Sequence, residues 1–220
     1  MIKDASRKGH NHAVALRKAM PQPISRKLLK QTVMTTVYGV TQYGAQEQIK
    51  RQLRAMDIVF ENLFLGIWPG TPLQDLKKWF QGCAIHASKL HQTMQWETPL
   101  GLPQVNAFPP NFVHSLDSTH MMLTTLFCHK EGLTFAAVHD CFWTHACDVD
   151  KMNEICRDQF VALHEYPIID NLSEFLIKTY VDELPISEED KKMMSQRFIP
   201  HVVPGTLNIK DVRNSTYFFS

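Results

Sequence analysis

The 220-residue chain lacks most of the features that assign a protein quickly. Its five cysteines, Cys83, Cys128, Cys141, Cys147 and Cys156, are an odd number and include no Cys-x-x-Cys pair. That argues against a disulfide framework or a zinc ribbon, and for reduced thiols in a reducing compartment. No apolar run reaches the roughly 20 residues of a membrane-spanning helix, so no membrane partner is expected. Charge of one sign is not in excess: 23 Lys and Arg stand against 22 Asp and Glu. A free-standing DNA-binding domain is usually more basic, so any nucleic-acid contact has to come from local patches. No internal repeat or low-complexity tract interrupts the chain, and the 11 histidines are scattered rather than clustered. What is present is an apolar content of 44%, enough core for one large domain or two small ones.

Periodicity and punctuation predict a mostly helical chain. Residues 13–20 read as a helix stopped by Pro21 and Pro23. Ser25 is a plausible N-cap for a helix over 26–38, ended by Gly39. A polar helix follows at 46–55, then an apolar helical stretch at 56–65, broken by Trp68, Pro69 and Gly70. Residues 72–94 read as an amphipathic helix or helix pair, with Leu73, Leu76, Trp79 and Phe80 on the apolar face and an interruption expected at Gly82. Residues 96–105 read as turn and short strand. Pro109 and Pro110 open a helix over 111–130. Residues 133–138 and 141–146 read as the two strands of a hairpin, and 151–165 and 172–181 as helices. From Pro185 onward the chain reads as charged and loop-like. The cysteines, with Trp68, Trp79 and Trp143, are read as core.

Three constellations carry chemistry. Arg26, Lys30, Met34 and Tyr38 recur every four residues and form a slowly drifting stripe on one helix. The two cations can clamp an anion such as a triphosphate, and Tyr38 can pack on a base or sugar. The same spacing equally suits a surface helix with solvated cations and a tyrosine packed in the core. The second constellation is Asp140 at the tip of the apolar hairpin. Held on both sides, its carboxylate suits a hard divalent cation, although an ordinary turn aspartate gives the same pattern. The third is Phe108-Pro-Pro-Asn-Phe-Val-His-Ser-Leu-Asp-Ser-Thr-His120. Here His114 and Asp117, with Ser115 or Ser118, could form a hydrolytic set, but no nucleophile elbow or oxyanion loop accompanies them. A metal pair of His114 and His120 is six residues apart, off the usual helical spacing.

The segment Arg26-Lys-Leu-Leu-Lys-Gln-Thr-Val-Met-Thr-Thr-Val-Tyr-Gly39 resembles the fingers-helix motif of single-subunit, bacteriophage-type RNA polymerases, most closely their mitochondrial members. Thr134-Phe-Ala-Ala-Val-His-Asp-Cys-Phe-Trp-Thr-His145 resembles the palm motif of the same family, and the segment around His114 follows the family as well. The resemblance runs from about residue 13 to 220. It implies an α+β fold: fingers-like helices over 1–95, a palm-like region with the His-Asp hairpin over 96–184, and a C-terminal extension over 185–220. It implies that Arg26 and Lys30 bind the phosphates of an incoming nucleotide, and that Tyr38 guards its ribose and the nascent base pair. His114 would approach Tyr38 at the nucleotide end of the duplex, His139 would stand beside the primer end, and Asp140 would bind Mg²⁺. The implied activity is DNA-directed RNA synthesis in the mitochondrial matrix. DNA template, nascent RNA and ribonucleoside triphosphates would be partners, with mitochondrial transcription factors as further ones. The aromatic C-terminus at 217–220 would pack near the active site or on its own helices.

The resemblance also breaks. The family takes its other catalytic aspartate from a palm motif upstream of the fingers helix, and nothing before Arg26 corresponds to it, because Asp4 lacks the right surroundings. Trp96-Glu-Thr-Pro-Leu-Gly-Leu-Pro103 matches the strand entering the family's promoter-reading hairpin, yet the chain passes almost directly to Asn106-Ala-Phe-Pro-Pro110. The segment after Leu53 also reads as shortened. Residues 1–30 are basic and can pass for a transit peptide, but they run unbroken into the motif helix and carry Asp4 early. An internal fragment or a mis-spliced product is the simpler expectation, one that does not polymerise alone; the alternative is a catalytically inactive fragment that binds nucleotide or nucleic acid.

Overall fold

The computed structural model describes residues 7–9, 14, 18, 25–38, 40–58, 72–90, 92–105, 107–202, 205–216 and 218. Two compact units emerge: Met1–Trp79 with His201–Val203, and Phe80–Pro200 with Pro204–Ser220.

In the first unit, α1 (Arg26–Val37) begins where Ser25 accepts a hydrogen bond from the Lys27 backbone N–H. α2 (Gln42–Arg54) begins at Thr41, whose side chain accepts from the Gly44 N–H at 3.0 Å. The two helices meet along a seam with four-residue spacing. Leu28, Thr32 and Thr36 are buried on α1, and Ala45, Ile49 and Leu53 on α2. Polar contacts flank this seam: Thr35 Oγ1 donates to Gln48 Oε1 at 3.1 Å, and Arg51 Nη2 to Gln31 Oε1 at 3.0 Å. Helix α3 (Pro72–Lys89) runs through the boundary between units at Trp79.

The second unit is α+β. An antiparallel hairpin pairs β1 (Gln95–Glu97) with β2 (Pro103–Val105), joined by a turn in which Gly101 takes a positive φ of 74°. The Trp96 side chain faces inward and is 1% exposed, packed 5.4 Å from Phe108. Phe80, Phe108 and Phe112 complete this aromatic cluster. The Tyr180 hydroxyl ties it to the C-terminal helices, accepting from the Gln95 N–H and donating to the Thr93 carbonyl. α4 (Phe108–Lys130) starts with Pro at its first turn and packs along α5 (Val149–Glu165). Between them lies the hairpin of β3 (Ala136–Val138) and β4 (Cys141–Trp143). α6 (Ile168–Ile177) continues as a wider turn over Lys178–Asp182.

Several expectations need correction. Gly82 does not interrupt α3: a Cβ there would meet nothing within 4 Å, and one glycine costs a helix only about 1 kcal/mol. The region after Pro185 is not simply loop. It holds α7 (Glu188–Ser195), capped by Ser187 accepting from Asp190 N–H, with Glu188, Glu189 and Asp190 in its first turn. A 3₁₀ turn follows over Ile209–Asn214. The described end of the chain docks on α5: Arg213 pairs with Asp158 at 2.7 Å, Arg157 donates to the Ser215 carbonyl, and Phe218 lies 4.8 Å from Phe160. The core assignment fails for Cys141 and Cys147, which are exposed, and for Trp143, which is 51% exposed. It holds for Cys83, Cys128, Cys156 and Trp79. Most of the helix expected at 13–20, the stop at Gly39, most of 56–65, the break at Trp68, Pro69 and Gly70, and Tyr217, Phe219 and Ser220 lie outside the described residues. Among the described residues, no helix is long and apolar enough to cross a membrane.

Candidate functional site

Helical geometry decides what α1 presents. Residues two apart are about 200° apart around a helix, so burial of 28, 32 and 36 turns 26, 30, 34 and 38 outward. Arg26, Lys30, Met34 and Tyr38 are all exposed, Tyr38 by 60%. The reading of Tyr38 as a core residue is thereby excluded. The stripe is a row of two cations, a thioether and a phenol, with both cations toward the N-terminal half of the helix. Planar guanidinium and compact ammonium groups four residues apart can share one polyanion.

On the second hairpin, Val138 pairs directly with Cys141, which leaves His139 and Asp140 as a two-residue loop. His139 has φ +54°, a left-handed conformation that a histidine adopts at some cost in strain. Both side chains are exposed. The support below the loop is a packed cluster. Phe135 and Phe142 lie 5.3 Å apart edge-to-face and cover Cys128, Met152 and Ile155, which are buried between α4 and α5. Strand residues alternate in direction, so Phe142 points in while Cys141 and Trp143 point out. A cavity of about 440 Å³ lies beside the tip, lined by Asp140, Trp143, Met152, Asn153 and Cys156 among others. Burial pushes the Cys156 thiol up to about 12, so it enters this cavity as a neutral thiol rather than a nucleophile. Among the described residues, no three His, Cys, Asp or Glu side chains come together to hold a metal ion.

On α4, His114 is exposed, whereas His120 is buried and donates from Nε2 to the Cys156 carbonyl at 2.9 Å. The two do not form a metal pair: one nitrogen of His120 is committed, and its ring is wedged among Phe142, Phe160 and Phe218. Ser115 is no poised nucleophile either, because its hydroxyl donates to the Phe112 carbonyl of its own helix. Arg26, Lys30 and Tyr38 belong to the first unit, and His114, His139 and Asp140 to the second. Sequence reasoning missed the polar contacts that orient α1. Gln31, Thr35, Gln48 and Arg51 carry no motif, and only their pairing across the seam reveals them.

A family model described as DNA-dependent RNA polymerase matches residues 1–105 and 103–202. The mitochondrial DNA-directed RNA polymerase of Homo sapiens is 38% identical over 250 residues, covering 90% of this chain and 20% of its own length. DNA-directed RNA polymerase 1, mitochondrial, of Arabidopsis thaliana is 38% identical over 251 residues, covering 92% of this chain and 24% of its own. DNA-directed RNA polymerase 2A of Nicotiana tabacum is 35% identical over 268 residues, covering all of this chain and 77% of its own. The chain thus spans about a fifth to a quarter of the first two relatives. The human alignment takes in 90% of 220 residues, about 198, against 250, so about 50 aligned positions have no counterpart here. The family match breaks within β2, where residues of the promoter-reading hairpin were expected to be missing.

Proposed function

The chain belongs to the DNA-dependent RNA polymerase family, and from that premise we propose that it is the nucleotide-handling, C-terminal part of a mitochondrial single-subunit DNA-directed RNA polymerase. The match across residues 1–202 carries this reading. The geometry supports it in one respect that could have failed: Arg26, Lys30, Tyr38, His114, His139 and Asp140 are every one of them exposed. In this proposal the fingers-like part of the chain is 1–95, the palm-like part 96–184 and the extension 185–220.

The reaction would be attack of an RNA 3′-hydroxyl on the α-phosphate of a ribonucleoside triphosphate. Arg26 and Lys30 would hold the triphosphate by charge-assisted hydrogen bonds, and most catalysis of such transfers is positioning plus electrostatics. Tyr38 and His114 would meet at the ribose, and His139 would stand at the primer end. Asp140 would contribute a carboxylate to Mg²⁺. A two-ion clamp needs at least two carboxylates, and among the described residues no three His, Cys, Asp or Glu side chains gather as a metal site. DNA template and nascent RNA would be the partners in the whole enzyme, with mitochondrial transcription factors beyond them. The names of the human and Arabidopsis thaliana relatives place those two in mitochondria, and for this chain the matrix is the matching proposal.

Asp140 is the one ion-binding carboxylate that the resemblance carries over, and this favours a second reading: a nucleotide- or nucleic-acid-binding fragment without turnover. One experiment separates the two. ATP binding to the purified chain is measured by calorimetry, and extension of a primed RNA–DNA hybrid with Mg²⁺ is followed in parallel. Binding that weakens about tenfold in Lys30→Ala, with no extension, fits the fragment. Extension by the wild-type chain would show a competent polymerase, and no binding at all would remove the nucleotide reading.

A further inference from the structure

Tyr38 stands just beyond the last helical residue of α1, and its side chain is 60% exposed. The chain leaves α1 at Tyr38 and enters α2 after Thr41, so a turn follows it directly. That turn is boxed in. The Val40 N–H donates to the Thr35 carbonyl at 3.1 Å, and Thr41 caps α2. Gly44 lies so close that a Cβ would come within 3.2 Å of Val40 Cγ2 and 3.3 Å of Thr41 Oγ1. A further contact reaches in from outside the helix pair: Lys77 Nζ, from the first half of α3, donates to the Val40 carbonyl at 2.7 Å. Lys77 is half-buried and makes no ion pair among the described residues. A half-buried ammonium that donates to a backbone carbonyl is a charge-assisted, directional restraint.

We propose that Lys77 is a positioning residue: by gripping the Val40 carbonyl it fixes the turn after α1 and so sets where the Tyr38 phenol stands relative to Lys30. This rests on the nucleotide reading above and adds a residue that neither motif spacing nor resemblance indicates. The triphosphate grip itself sits on Arg26 and Lys30, whose positions follow from the α1–α2 seam. Loss of Lys77 therefore acts on recognition of the sugar and leaves recognition of the phosphates in place.

Two variants of the full chain test this. Lys77→Met keeps the apolar stem and removes the charge, and Lys77→Arg keeps a cationic donor. Dissociation constants are measured for ATP, dATP and inorganic triphosphate, and backbone hydrogen exchange is followed over 38–41. Lys77→Met is expected to speed exchange in that turn and to reduce the preference for ATP over dATP by about fivefold, with triphosphate affinity within about twofold of wild type. Lys77→Arg is expected to retain both properties. An unchanged ATP preference or unchanged exchange in Lys77→Met overturns the assignment. Equal losses for ATP and triphosphate also overturn it, since they mean the first unit has loosened as a whole. A wild-type chain that binds no nucleotide sinks the nucleotide reading itself and the role of Lys77 with it, a result distinct from normal binding that ignores Lys77.

Discussion

In the first unit, α1 keeps Arg26, Lys30 and Tyr38 outward by burying one leucine and two threonines, with Gln48, Arg51 and Lys77 as polar fasteners on its edges and end. In the second, the loop carrying Asp140 rests on Phe135, Phe142, Cys128, Met152 and Ile155, and the neighbouring aromatic cluster buries Trp96, Phe108 and Phe112. The first arrangement buries a narrow row of aliphatic and threonine side chains and adds directional contacts at its edges. The second gains its stability from burial, which is non-directional and large. A turn fastened by single directional contacts can be re-aimed by one substitution without unfolding, whereas an aromatic core holds its loop until packing fails altogether.

The sharpest way to break this contrast is Phe112→Ala. Phe112 is 1% exposed, and its removal from the cluster with Phe80 and Phe108 should cost the second unit about 3–5 kcal/mol, read as faster hydrogen exchange over β1 and α4 and a lower urea midpoint. A loss well under 1 kcal/mol would mean that burial is not what holds this unit. In the polar seam the expected change has the opposite sign. The Thr32 hydroxyl is fully buried and has no hydrogen-bond partner among the described residues, so Thr32→Val should stabilise the first unit by about 1 kcal/mol. Destabilisation instead would show that the hydroxyl is paired.

The gentlest test is pH. Burial holds the His120 pKa below its ordinary 6.5, against the opposing hydrogen bond to the Cys156 carbonyl; His164 also depresses it and Asp117 raises it. The folded chain then binds fewer protons than the unfolded chain as pH falls below about 6.5, so the second unit should lose stability on acidification and hold it in full above that value. His120→Asn should flatten the dependence of the urea midpoint between about pH 7.5 and pH 5.5. An equal slope in both proteins would place the proton uptake elsewhere.

Much of this was legible before any coordinates. The cap at Ser25, the helix after it, the proline-opened α4 and the His139-Asp140 hairpin all follow from signals a few residues long. α7 was legible too and went unread: Ser187 followed by three acidic residues is a helix start. Other features were not legible in principle. Gly82 reads as a breaker, and only its neighbours show that the helix continues through it. Trp143 reads as core by residue type, yet β4 belongs to a two-stranded sheet whose outward face is uncovered among the described residues.

Chain order alone determined which side chains share a face: burial at 28, 32 and 36 sends 26, 30 and 38 the other way, because the helix repeat relates residues four apart by bond geometry. Chain order also determined that Asp140 stands at a hairpin tip, because alternation and a two-residue gap leave it no other place. Tertiary structure alone decided that Lys77 grips the carbonyl of Val40, that His120 is buried while His114 is not, and that Cys156 opens on a cavity beside Asp140. These contacts join residues 16 to 37 positions apart, a separation over which no local periodicity acts and where only the packing of elements determines which groups meet.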